Sequence, residues 1–272
     1  MNNLSDIKRG SATLWIGTGL LAVLLFAGVA GPLLMTSDPN EMQFTRVLQS
    51  PSARHIMGTD EFGRDLFSRS LHALRLDLWV IAIITVLPMI MGMLLGTVAG
   101  FFGGAVDRIV TRFIDFFVAF PLMILVIAVV AIVGPGLRGV FVAVLSVGWV
   151  MYAQINRAEM MVLRTQHYIL AAHALGYSRR RILLRHAIPN LWRPNIVFAS
   201  SDAVLNLLLL SGLSYLGLGA QAPQAELGSL VASGQQYLLQ AWWISTLPGV
   251  VVLALGISLS MFGDGLSDKI MD

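Results

Sequence analysis

Cysteine is absent from the 272-residue chain, lysine is nearly absent and charge is scarce. Without a thiol the chain has no disulfide, thiolate zinc site, iron–sulfur ligation or cysteine nucleophile. Lys8 and Lys269 are the only lysines, and neither follows a glycine as the lysine of a G-x-x-x-x-G-K-[S/T] loop must. The chain therefore carries no ATP-hydrolysing phosphate loop, and any ATP-driven work must be done by a partner. Charged residues make up 12% of the sequence, about half the share in ordinary soluble domains. Five histidines (His55, His72, His167, His173 and His186) all read as loop residues, and no H-E-x-x-H occurs. This argues against a membrane-embedded hydrolase, and no catalytic residue or metal-ligand set is assigned.

What the sequence does contain is apolar runs, with 56% hydrophobic residues overall. Runs of about 18 residues or more read as membrane helices. Six spans are predicted, near 13–35, 78–101, 113–133, 138–156, 196–216 and 245–263. The first is too long for the core of a cleaved signal peptide. Before the second span, Leu66, Phe67, Leu71, Leu74 and Leu78 alternate with Arg64, Arg69, Arg75 and Asp77, the pattern of a helix lying at the interface. This gives residues 1–77 as a first helix plus outer loop and 78–272 as the core, with its longest polar interruption at 157–195.

The net charge of +3 comes mainly from arginine. Clustered arginine in a membrane protein reads as positive-inside bias, and no nucleic-acid partner is implied. With the N-terminus inside, 12 of the 18 lysines and arginines fall on inner segments and 6 on outer ones. Five of those six lie in one long outer loop balanced by acids, so the termini are placed inside.

The inner segment 167–190 has a structure legible from its sequence. Tyr168–Leu175 has helical composition, Gly176 stands where a helix C-cap belongs, and Ser178 suits the N-cap of a second helix that Pro189 and Pro194 are expected to stop. Arg179, Arg180 and Arg181 occupy that helix's first turn, where the macrodipole disfavours cations by about 0.3–1 kcal/mol each. Either an acidic or polar partner surface favours them, or lipid headgroups do.

Polar residues also fall within the spans. Asp202 and Asn206 lie four apart on one helix face. They are read either as a wall of a substrate cavity or as a hydrogen-bonded structural pair near the cytoplasmic interface. Asp115, beside Arg112, reads as a helix-start acid. Gly92, Gly96 and Gly100 form a small-residue stripe for close helix packing, and Gly217 and Gly219 read as a hinge or a helix end. Asp60, Glu61, Arg64 and Asp65 are expected to pair with one another.

Several motifs resemble one family. Ala171 and Ala172, Gly176 and then Ile188–Pro189 resemble the EAA loop of ATP-binding-cassette importer permeases. His55–Asp65, with its G-T-D-x-x-G-R-D core, Asp115–Pro121, Leu213–Gly219, Ala222–Pro223 and Glu226–Gly228 resemble the C-type subunit of the dipeptide/oligopeptide/nickel subfamily. Leu170 replaces the loop's glutamate, Leu227 stands where a tryptophan is expected, and the ending Gly263–Asp268 is shortened. The resemblance implies an all-α membrane protein with the type I ABC importer permease fold, multi-pass in the bacterial inner membrane. It also implies a coupling role for Ala171, Ala172, Leu175, Gly176, Tyr177, Ser178, Arg179 and Arg180. Asp202 and Asn206 would border the translocation path. Implied partners are a second permease, two ATPase subunits that bind ATP and magnesium, an extracytoplasmic binding protein and the bilayer; no cofactor is expected in this chain. Short peptides are the first substrate class implied, with nickel or a metal chelate as the alternative. A stand-alone secondary carrier is the competing class and would normally show more ionisable residues inside its spans.

Overall fold

A computed structural model describes residues 3–271, and those residues are almost entirely helical. Eleven helices follow in order: α1 Asn3–Leu34, α2 Leu66–Phe102, α3 Gly104–Val118, α4 Leu122–Val133, α5 Leu137–Val147, α6 Trp149–Leu163, α7 His167–Ala174, α8 Arg179–Ile182, α9 Ile188–Tyr215, α10 Leu227–Gly234 and α11 Trp243–Met271. Five stretches are long and apolar enough to cross a membrane, and α3 with α4, bent by 87° at residues 119–121, makes a sixth if counted as one span. An even number of spans returns the chain to its starting side, as the arginine distribution requires.

Four expectations need correction. The amphipathic stretch at 66–77 is not a separate interfacial helix: Asp65 caps Leu66–Phe102 as one 37-residue helix, its side chain accepting from Ser68 N. Nothing between Leu66 and Leu78 breaks the backbone ladder, so α2 runs across residue 77, and His72 lies on it rather than in a loop. The third span starts at Gly104, not 113, so Asp115 sits near the end of α3 rather than at a helix start. The bend follows because Pro121 has no N–H to continue the ladder. The fourth span extends to Leu163.

The fourth correction concerns Pro189 and Pro194, which do not stop the second elbow helix. Residues 183–187 form a π turn, with the Ile188 N–H donating to the Leu183 carbonyl, and the chain stays helical from Arg179 to Tyr215. The widened turn accommodates prolines that a regular α-ladder would not. Side-chain amides support this stretch too: Asn190 Nδ2 donates to the His186 carbonyl at 2.5 Å and Asn195 Nδ2 to the Leu191 carbonyl at 2.6 Å.

The Gly92–Gly96–Gly100 stripe packs α2 against α6 within the chain. A Cβ on Gly100 would lie 2.7 Å from the Arg157 carbonyl oxygen and 2.8 Å from Met160 Cβ, and one on Gly96 would strike the Ala153 backbone. α1 lies along α11 by the same device, since a Cβ on Gly17 would meet Phe262 N at 2.6 Å. The main core gathers Ala73–Ile84 of α2 with side chains of α4, α5, α9, α10 and α11.

Buried polar pairs tie the spans at chosen points. Asn156 and Asn195 exchange amide hydrogen bonds of 2.8 and 2.6 Å across α6 and α9, and each also donates to a backbone carbonyl of its own helix. Replacing Asn195 by Leu leaves the Asn156 oxygen without its donor. We expect a loss of about 1 kcal/mol in detergent unfolding, and a smaller loss in the Asn156→Leu/Asn195→Leu double variant than the two single losses summed.

Asp77 is fully buried, and its Oδ2 accepts from Leu227 N at the start of α10. Among the described residues, no donor reaches Asp77 Oδ1. Beside it, the equally buried Glu226 caps α10, accepting from the Gly228 and Ser229 backbone at 3.0 and 2.8 Å.

Candidate functional site

The inner bend folds much as its sequence dictates. Gly176, at φ +76°, places its N–H on the His173 carbonyl and the Tyr177 N–H on the Ala172 carbonyl, the paired bonds of a Schellman ending. Ser178 then caps α8, its Oγ accepting from Arg181 N. Ile169, Ala172 and Ile182 are buried together against Phe101 and Tyr177. The two arms of the bend therefore share a small core seated on the inner end of α2.

Of the eight residues assigned to coupling, Ala172 is buried in that core and Tyr177 is half-buried, while Ala171, Leu175, Gly176, Ser178, Arg179 and Arg180 are exposed. Arg181 lies over the Tyr177 ring at 4.4 Å, which offsets its position in the first turn. Arg179 and Arg180 make no ion pair among the described residues. Leu175 is 73% exposed, and Tyr168, Leu170 and Leu184 are exposed nearby. Beside the bend, Phe101, Phe102, Arg164, Thr165, Leu170, His173 and Arg179 line a cleft of about 410 Å³. An exposed surface that combines unpaired arginines with leucines suits a protein partner. The sequence alone did not single out Phe101, whose ring stacks on that of His173 at 6.4 Å and helps hold α7 to α2, and His173, like His167, lies on α7 rather than in a loop.

Because α8 continues through the π turn into α9, the bend is rigidly joined to the span that carries Asp202 and Asn206. Asp202 Oδ2 accepts from the Tyr152 hydroxyl at 2.9 Å and from Asn206 Nδ2 at 3.0 Å, and Asn206 Nδ2 also lies 3.0 Å from Thr85 Oγ1. One cluster thus joins α2, α6 and α9. Asn206 is buried and Asp202 half-buried. Tyr152 and Thr85 were missed by sequence reading. Tyr152 lies four residues before Asn156, and that polar spacing within an apolar span was the available signal.

The outer segment is held in part by the pairs expected of it: Asp60 and Glu61 meet Arg64, but Asp65 pairs with His55 instead. Asp60 accepts from Arg64 Nε at 2.6 Å and lies 3.5 Å from Arg69 Nε, and Glu61 lies 3.6 Å from Arg64. His55 Nδ1 is 2.9 Å from Asp65 Oδ1. Burial pushes the Asp65 carboxyl up, but hydrogen bonds from His55, Ser68 and Thr36 outweigh it and hold its pKa below the usual carboxylate value. At Glu61 burial dominates and raises the carboxyl.

Residues 92–272 match the model of a family described as the binding-protein-dependent transport system inner membrane component. Among similar proteins, the dipeptide transport system permease protein DppC of Alkalihalophilus pseudofirmus is 35% identical over 255 residues, covering 94% of this chain and 84% of that one. The di/tripeptide transport system permease protein DppC of Pseudomonas aeruginosa is 35% identical over 260 residues, with coverage of 93% and 86%. The dipeptide transport system permease protein DppC of Escherichia coli strain K12 is 34% identical over 265 residues, with coverage of 94% and 87%.

Proposed function

Since the chain belongs to the binding-protein-dependent inner membrane component family, we propose that it forms half of the translocation pathway of an ATP-driven importer of short peptides, coupled through its inner bend to a separate ATPase. The observation that carries this reading is the continuous helix from Arg179 to Tyr215, which begins at a turn where exposed Arg179 and Arg180 make no ion pair among the described residues and runs on through the span that carries Asp202 and Asn206. A load applied to that turn by a partner moves the whole span rather than a loop. Two-state switching needs an element of this kind, with different contacts in each state. Two ATPase subunits closing on ATP and magnesium would move the paired bends of this chain and a second permease, and an extracytoplasmic binding protein would deliver the peptide. The relatives named for dipeptides and di/tripeptides support the substrate class.

The test is reconstitution of the two permeases with and without the ATPase subunits in sealed vesicles. ATP-dependent uptake of a labelled dipeptide, requiring the binding protein, is the expected result. Uptake by the permeases alone under an ion gradient would identify a secondary carrier instead.

Asp202 and Asn206 are proposed to border the path. Asp202→Asn retains an acceptor for the Tyr152 hydroxyl and removes only the charge. We expect normal complex yield with KM for peptide raised about threefold or more, about 0.7 kcal/mol. An unchanged KM would assign the pair to helix packing alone.

A further inference from the structure

Residues 36–65 lie outside every span, yet they fold as a braced cap rather than a loose loop. The Thr36 hydroxyl donates to Asp65 Oδ2 at 3.0 Å, Gln49 N to Thr59 Oγ1 at 2.8 Å, Arg69 Nη1 to the Pro39 carbonyl at 2.9 Å and Trp243 Nε1 to the Thr59 carbonyl at 3.2 Å. Within this cap is a cavity of about 340 Å³ whose lining includes Glu41, Arg46, Arg54, His55 and Asp65. His55 is 8% exposed, and its Nε2 is buried with no partner. Asp65 is already occupied: Oδ1 by His55, and Oδ2 by Thr36 and Ser68 N. Arg46 and Arg54 have no ion pair among the described residues. The lining therefore offers two free guanidinium groups and one imidazole nitrogen against a single uncommitted acid, Glu41. A proton on Nε2 would donate to a second carboxylate while Nδ1 stays on Asp65, and a cation would find two arginines opposing it.

Around the cavity the surface is apolar. Met42, Phe44, Ile56 and Phe62 are exposed, Phe44 by 70%. Gln43 N donates to the Phe62 carbonyl, which holds the Met42–Phe44 stretch against Phe62. An apolar collar around a polar socket on a rigid, water-facing segment has the anatomy of a protein-docking site. We propose that this cap receives an acidic side chain of the substrate-binding protein, with Arg46 and Arg54 supplying the charge, His55 Nε2 the buried contact and the collar the apolar contact. The inference rests on the transporter reading above, since that reading supplies the partner. A phosphate headgroup fits the socket less well than a carboxylate, because Glu41 lies in the lining and repels a second negative charge.

The experiment uses the full transporter in lipid nanodiscs with its purified binding protein. Charge reversal of the two arginines (R46E/R54E) should weaken docking about tenfold or more, while R46K/R54K stays within about threefold. A photo-crosslinker at position 44 should mark the acidic residue of the binding protein that enters the socket. Changing that acid to Arg should restore docking to the reversed complex but not to the wild type. Docking of R46E/R54E within about twofold of wild type overturns the proposal, as do crosslinks that reach only lipid or the second permease. A wild-type complex that neither hydrolyses ATP nor docks any binding protein would refute the transporter reading itself, a result separable from failure of the socket.

Discussion

Gly176→Val should leave the chain inserted and the complex assembled, yet reduce ATP-driven uptake about tenfold or more. Gly176 has φ +76°, and a Cβ built on it would meet nothing within 4 Å. The effect is therefore conformational rather than steric: a β-branched residue held in the left-handed region costs on the order of 1–2 kcal/mol. The Schellman ending then gives way, and the angle between α7 and α8 with it. In the transporter reading the ATPase subunits would still hydrolyse ATP, while movement of α9 would no longer follow. Gly176→Asn is the control, because asparagine tolerates positive φ and should retain most of the uptake. Measuring hydrolysis and uptake side by side in vesicles separates uncoupling from misfolding. Equal coupling ratios in the Val variant and the wild type would mean that this bend transmits nothing.

Gly96→Leu should have a larger effect of another kind: little or no folded complex. α2 and α6 approach so closely that even a Cβ at this position collides with the Ala153 backbone, and backbone cannot swing aside as a side-chain tip can. The buried Tyr152, Ala153 and Met160 surround the contact, so relieving the clash means separating two spans and exposing the Tyr152–Asp202 junction. Overpacking usually costs about 1–3 kcal/mol, and a clash with backbone should lie at or above the top of that range. Gly19→Leu, whose Cβ would meet nothing within 4 Å, should express normally. Fluorescence-detected size exclusion of the two variants tests the contrast, and a monodisperse Gly96→Leu complex would refute it.

How much of this could be read from residues alone depended on distance along the chain. The Gly176 ending and the Ser178 cap were legible because each involves bonds within about six residues, set by one glycine or one hydroxyl. The glycine stripe was legible because its spacing alone puts the three on one face. The helix's passage through Pro189 and Pro194 was not legible, since it depends on a π turn and on asparagine side chains. The junction at Asp202 needs Tyr152, 50 residues away, and Asn206 reaches Thr85 across 121. Asp77 read as an exposed polar face because its partner lies 150 residues later.

That last separation bears on how the protein is made. α2 reaches the membrane well before residues 226–227 leave the ribosome, so Asp77 must enter with no companion. An aspartate at a helix centre opposes insertion by about 2.5–3.5 kcal/mol; Asp77 lies in the first third of α2 and opposes it less, but the long apolar run after Leu78 must overcome that alone. Once α10 arrives, its first amide engages the waiting carboxylate and fixes α2 in place. Chains released before residue 226 should therefore be integrated but short-lived, cleared by membrane quality-control proteases, and Asp77→Ser should lengthen the lifetime of such fragments.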